Sequence, residues 1–317
     1  MSFSTGKRTE NGLELVVLKD DQEGTEALLL PAFGALLHGF SIEAGGERIN
    51  VVDHYTGYEA AKKEISTSFK SARLSPFPCR IPEGRYSFEG KQYELQKKFP
   101  DGSAIHGLLY DKAFEPVAAG ADHTRAMASF QYHYQQDDDQ YPFDYTCTVE
   151  YILRGSASLE IRATSRNNGD KPIPMADGWH PYFQLGGKVD EWELYFDADA
   201  MLEFDDKLIP TGRLVRQNLF TEPRRIGPLF LDNCFLLNKA RGKAACELLN
   251  PRNGLKVSFF PGEEYPYLQL FTPPHRKSIA IENLSAAPDS FNNRMGLLLL
   301  GPGQSQTFAL RYQLSLR

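Results

Sequence analysis

From Tyr145 to Leu153 every second position carries an apolar or aromatic residue: Tyr145, Cys147, Val149, Tyr151 and Leu153. Side chains alternate between the two faces of a strand, whereas apolar residues on an amphipathic helix recur every three or four positions. A period of two over this length therefore specifies a strand with one buried face. After a Gly-Ser turn the alternation resumes at Leu159, Ile161 and Ala163, and it returns near the end of the chain at Phe308, Leu310, Tyr312, Leu314 and Leu316.

Further strands are expected along the chain. Residues 13–18 form a β-rich run, and the apolar segment 27–42 is interrupted by Pro31, Gly34 and Gly39. Tyr86-Ser-Phe88 and Tyr93-Glu-Leu95 flank Glu89-Gly90-Lys91 as the arms of a hairpin. Residues 246–249 and 255–260 flank Pro251-Arg-Asn-Gly254, whose Asn-Gly tolerates positive φ. Shorter strands are expected at 193–196, 201–204, 267–271 and 278–281, and one helix at 57–65. The charge run Gln135-Gln-Asp-Asp-Asp-Gln140 reads as a solvated turn. With no repeat and no linker, residues 1–317 read as a single all-β domain, a large antiparallel β-sandwich with long functional loops.

Composition narrows the function. The 317 residues are 41% hydrophobic and include 21 Phe and 15 Tyr, enough for a large core. A net charge of −6 argues against a nucleic-acid partner. Cys79, Cys147, Cys234 and Cys246 form no CxxC, so neither a zinc site nor a disulfide framework is expected, and reduced thiols suit the cytoplasm. The first residues, MSFSTGKRTENG, lack the apolar core of a signal peptide. The apolar windows 27–40 and 295–301 are too short or too interrupted to span a bilayer, so no membrane partner is expected.

The stretch Met175-Ala-Asp-Gly-Trp-His-Pro-Tyr-Phe-Gln-Leu185 holds His180 among Trp179, Pro181, Tyr182 and Phe183. Pro181 fixes its own φ and restricts His180. An imidazole held firmly beside flat rings suits a ligand with C–H faces and exchangeable protons, such as a sugar. A packed structural histidine is the alternative. Four other segments carry polar residues in similar company, each with a structural alternative: Arg80 after two prolines, His106 beside Gly107, Asp232 between apolar residues, and Glu282 at the end of an apolar strand. An arginine fork bridges vicinal oxygens, and a carboxylate between apolar residues needs donors to offset its desolvation. His38 is expected to be packed, and His54, His123, His133 and His275 stand in less pointed contexts.

In order along the chain, these segments resemble the aldose 1-epimerase (galactose mutarotase) family. The resemblance rests on Cys79-Arg80-Ile81, His106-Gly107, the run from Tyr141 to Tyr151, Trp179-His-Pro-Tyr-Phe183, Asp232, and Glu282 with the later Pro-Asp-Ser-Phe-Asn. Two departures stand out: Cys79 where the family has Asn or Gly, and Asn283 where Pro commonly follows the glutamate. The resemblance implies the galactose-mutarotase-like supersandwich and a site with neither metal nor cofactor. It also implies a cytoplasmic role in hexose metabolism.

The implied reaction exchanges the α- and β-anomers of a free hexose such as galactose or glucose. Opening the hemiacetal takes a proton from O1 and gives one to the ring oxygen, so it needs a general base and a general acid. His and Glu are the natural pair, because environment can hold the His protonated and the Glu ionised at one pH. In this assignment Glu282 is the base, His180 the acid, and His106 assists at the ring oxygen. Arg80 and Asp232 grip hydroxyls, while Trp179, Tyr182 and Phe183 stack or support.

Three rivals stay open at this level. The first is a sugar-binding module without turnover. The second is a metal enzyme built on His106, His180, Asp232 and Glu282, which lack ligand-like spacing. The third is an epimerase of hexose 6-phosphates, with Arg73, Arg80 and Arg85 as the cationic cluster. The preferred hexose and the choice between monomer and homodimer are not fixed by sequence.

Overall fold

A computed structural model describes residues 2–238 and 242–317 of the chain. The long alternating segments pair with one another in a nine-stranded sheet. There Arg125–Gln135, Asp144–Arg154, Ser158–Asn167, Ser305–Leu316 and Leu255–Pro261 lie side by side. The ladders of this sheet are antiparallel. One face is apolar because the period of two puts Tyr145, Cys147, Val149, Tyr151 and Leu153 on it, all fully buried. The alternation runs out at Leu316, which is exposed at the end of its strand.

A five-stranded and a six-stranded sheet accompany it, with four two-stranded ladders among the described residues. The five-stranded sheet is formed by the N-terminal strands in sequence order, Phe3–Glu10 to Glu47–Asn50. The apolar segment 27–42 supplies two of them, Thr25–Leu30 and Leu36–Ala44, with the Pro31 and Gly34 interruption forming the turn. The six-stranded sheet carries four strands that position the site, and a fifth, Trp179–His180, pairs with Ala72–Arg73. A single apolar cluster draws on residues from Phe3 to Leu314, including Phe183 and Trp192, and a second gathers around Leu13, Tyr55 and Phe69.

Both expected hairpins form: Arg85–Phe88 with Lys91–Glu94, and Cys246–Leu249 with Leu255–Pro261. The helix spans Tyr58–Ser68, three residues beyond its expected end. It stops where Phe69 turns into the left-handed region at φ 51°, its N–H bonded to the Ile65 carbonyl. That turn swings the Phe69 ring away from the helix and towards His106 and His180.

Candidate active site

Five short strands build the site: β1 (Trp179–His180), β2 (Tyr182–Phe183), β3 (Asp232–Leu236), β4 (Tyr267–Phe271) and β5 (Ile279–Leu284). Strands β3, β4 and β5 are neighbours in the six-stranded sheet, and β2 extends it past β5. In this register Gln269 lies opposite both Glu282 and Cys234, and Asp232 opposite Phe271. Cross-strand partners project from the same face. Asp232, Gln269, Phe271 and Glu282 therefore line one cavity of about 130 Å³, joined there by His180 and Tyr182. Glu282 sits inside β5 rather than at its end, because the strand continues to Leu284.

His180 Nε2 lies 3.3 Å from Glu282 Oε1. His106 meets His180 edge-on, ring centroids 4.8 Å apart, and Phe69 closes the other side of His106 at 4.7 Å. His106 adopts φ 61°, unusual for a residue with a Cβ, just after the two-residue strand Ala104–Ile105. Its Nδ1 accepts a bond from the Cys79 N–H at 3.3 Å. That acceptor role leaves the proton of the neutral ring on Nε2, as a donor. Arg80 follows Cys79 and its Nε donates to Asp101 at 3.2 Å. Gln269 Nε2 donates to Asp232 Oδ1 at 2.8 Å.

The electrostatics reverse one expectation. Burial lowers His180 to about 4. Burial also raises the Glu282 carboxyl well above its usual range, Asp232 adds to the rise, and Arg80 partly offsets it. Burial thus opposes charge on both members of the pair, against the expected imidazolium and carboxylate. Burial, His180 and Arg80 together hold His106 well below its usual value, so it is neutral too. Burial likewise raises Asp232, against the pull of Arg80 and Gln269. His180 Nδ1, Glu282 Oε2 and Gln269 Oε1 are buried without a hydrogen-bond partner among the described residues. Such atoms are costly unless something satisfies them, which marks the cavity as polar and unsaturated.

Of the sequence-selected residues, the fold brings Arg80, His106, His180, Tyr182, Asp232 and Glu282 to one cavity. Trp179 and Phe183 do not reach it. Phe183 is fully buried against Phe259 and Tyr312, and Trp179 lies under the Arg73 guanidinium, 5.0 Å from its ring centre. Strand alternation explains the correction: with His180 and Tyr182 on the cavity side, Trp179 and Phe183 must point the other way. Gln269 was missed, although it is the one polar residue in the run Tyr267-Leu-Gln-Leu-Phe271. Phe69, Phe99 and Phe271, also missed, supply apolar wall.

The cationic cluster considered for a phosphate does not assemble. Arg73 is fully buried and paired with Asp177, while Arg85 is exposed and paired with Glu83 and Glu94. Among the described residues, no three His, Cys, Asp or Glu side chains converge as a metal would require. No described helix is long and apolar enough to cross a membrane.

The family model described as aldose 1-epimerase matches residues 15–313. The Escherichia coli (strain K12) protein called "Uncharacterized protein YihR" is 27% identical over 236 residues, covering 73% of this chain and 74% of that protein. Galactose mutarotase of Bos taurus is 28% identical over 139 residues, 43% of this chain and 39% of the relative. Among solved structures, a galactose mutarotase-like protein from Clostridium acetobutylicum superposes with a TM-score of 0.86 at 17% identity, covering 100% of this chain and 99% of the other. The GalM/aldose epimerase homologue from C. elegans gives 0.82 at 21% identity, with 99% of each chain covered. Those structures establish the all-β, galactose-mutarotase-like fold, and with a family match over nearly its whole length this chain belongs to the aldose 1-epimerase family.

Proposed function

We propose that this chain is a cofactor-independent isomerase that exchanges the α- and β-anomers of a free hexose such as galactose or glucose. The observation that carries the reading is the contact of His180 Nε2 with Glu282 Oε1, 3.3 Å apart in the lining of one small cavity. In this reading Glu282 takes the proton of O1, and His180 gives one to the ring oxygen. His106, a neutral Nε2–H donor, holds the ring-oxygen region. Arg80, Asp232 and Gln269 bind hydroxyls, and Tyr182 and Phe271 offer ring faces.

The proton count supports the roles. One shared proton is what the reaction needs, since each anomer exchange takes one proton up and gives one back. When Glu282 has taken the O1 proton and His180 has delivered its own, the pair is a carboxylic acid beside a neutral imidazole. The transfers therefore start from the carboxylate–imidazolium form, which burial disfavours, so in this reading the bound sugar hydroxyls must stabilise it. Rotation about C1–C2 and reversal of both transfers then close the other anomer. Each transfer typically contributes roughly 10²–10⁴-fold.

The net charge around Arg80 supports a neutral sugar over a phosphate ester. Of the three arginines considered, only Arg80 lines the cavity, and it already faces Asp101. The four buried, unbridged cysteines support action in a reducing compartment such as the cytoplasm. The apolar cluster running from Phe3 to Leu314 supports one domain acting as a unit. The test is to add purified protein to fresh α-D-galactose and α-D-glucose and follow optical rotation against the spontaneous rate. Acceleration on a free hexose is expected. Exchange confined to hexose 6-phosphates would overturn the substrate assignment, and sugar binding without exchange would make the chain a binding module.

A further inference from the structure

The turn after β5 touches the site from behind. Asp289 donates its backbone N–H to the Arg80 carbonyl at 2.8 Å. Its carboxylate Oδ1 accepts from Asn292 Nδ2 at 2.6 Å, and the same Nδ2 donates to the Arg85 carbonyl at 2.9 Å. Two bonds thus hold the segment 80–85 at both ends. The other edge of that segment is held by Ala104–Ile105, where Ile105 pairs with Arg80 and the His106 N–H bonds to the Cys79 carbonyl at 2.9 Å.

The turn itself is rigidly seated. Phe291 is fully buried, with ring contacts to Phe77 at 5.5 Å and Tyr86 at 5.1 Å. Asp289 sits at φ 60°, which Asp and Asn adopt more readily than most residues with a Cβ. None of these residues lines the cavity, so any effect on the reaction must pass through Arg80 and its neighbours.

We propose that Asp289 and Asn292 are positioning residues that fix the backbone of Arg80, and through it the grip of the guanidinium on substrate. The inference rests on the reading of Arg80 as a substrate contact. It predicts an effect on KM rather than on proton transfer, because His180 and Glu282 are carried by other strands. It also predicts that the turn loses its influence once the guanidinium is gone.

The experiment is a double-mutant cycle on anomer exchange of α-D-galactose and α-D-glucose. The proteins compared are wild type, Arg80→Ala, Asn292→Ala and the double variant, each with a thermal unfolding curve. Asn292 is exposed, so its substitution leaves the fold intact. Arg80→Ala should raise KM roughly ten- to a hundredfold, the loss of hydrogen bonds from a charged donor. Asn292→Ala should raise KM roughly three- to tenfold with kcat within about twofold, and the double variant should match Arg80→Ala alone. Asp289→Ala, which removes the acceptor, should raise KM like Asn292→Ala, whereas Asp289→Asn keeps an acceptor for Asn292 and should retain near-native KM. Multiplicative effects, or a lowered melting temperature with KM unmoved, would overturn the proposal. If Arg80→Ala left KM unchanged, the reading of Arg80 would fall and this inference with it. If the wild-type protein showed no exchange, the proposed function would fall first.

Discussion

One stretch of chain, from Asp177 to Phe183, carries two acid-and-base pairs with opposite fates. On its interior side Asp177 meets Arg73, both without any exposure, with the Tyr265 hydroxyl donating to Asp177 at 2.5 Å and Trp179 packed on the guanidinium. On its cavity side His180 meets Glu282. Burial works against charge at both places. At the interior pair, burial is outweighed by Asp177 together with Cys147 and Tyr265, which hold Arg73 well above its usual value, while burial raises Asp177 against the pull of Arg73. An arginine does not shed its proton in a protein. At the cavity pair either partner can be neutral, and burial raises Glu282 while it lowers His180. The sealed pair fixes the strand. The open pair can exchange a proton, because both of its members can be neutral.

Substitution should separate these roles, most strongly in activity. His180→Asn or Glu282→Gln should lower kcat by roughly 10²–10⁴-fold with the urea midpoint nearly unchanged. Asp177→Ala strands a buried arginine and should cost about 3–5 kcal/mol of stability, measured by urea unfolding. If Asp177→Ala were as stable as wild type, the interior pair would have no structural role. Phe183→Ala belongs with the interior side and should cost roughly 3–5 kcal/mol, while kcat per folded molecule changes little. Gln269→Ala belongs with the cavity side. It should raise KM about tenfold and leave unfolding almost unmoved.

The pH dependence sharpens the contrast with a smaller effect. His180 lies near 4, so a second proton enters the pair only as pH falls towards that value. The acid limb of kcat/KM is expected near pH 4 rather than near the ordinary histidine value of about 6.5. For stability, a neutral buried histidine binds fewer protons than its unfolded counterpart between those two values. Its contribution is therefore present above about 6.5 and is lost as pH falls through about 4. His38, also lowered to about 4 by burial and by His54, adds a term of the same sign outside the site. His180→Asn should remove its share of that acid slope and leave the His38 share. An unchanged slope would contradict the buried, neutral histidine.

The long strands were legible because ten-residue alternation leaves one reading of which face is buried, and Tyr145 to Leu153 lie on that face as expected. Most of the cavity was legible as well, since Arg80, His106, His180, Asp232 and Glu282 each stand out against apolar or constrained surroundings. Trp179 and Phe183 were misplaced because Pro181 divides their segment into two-residue strands, too short to display the alternation that turns them inward. Gln269 was overlooked because a single polar residue in an apolar run looks like an ordinary solvent-facing position until Glu282 is found opposite it. The bond from Cys79 to His106 and the hold of Asp289 on Arg80 join residues far apart in sequence. Only the packed chain shows them. The proton balance of His180 and Glu282 was out of reach for the same reason, since it depends on burial and on Asp232 and Arg80 together.

The most direct test of the central claim is the anomer-exchange rate of fresh α-D-galactose and α-D-glucose, read by anomeric NMR for wild type, His180→Asn and Glu282→Gln in parallel. The account predicts exchange well above the spontaneous rate for the wild type and loss of roughly 10²-fold or more in each variant, with all three proteins folded. A folded variant that kept near-native exchange would contradict the assignment of His180 and Glu282 as the proton-transferring pair.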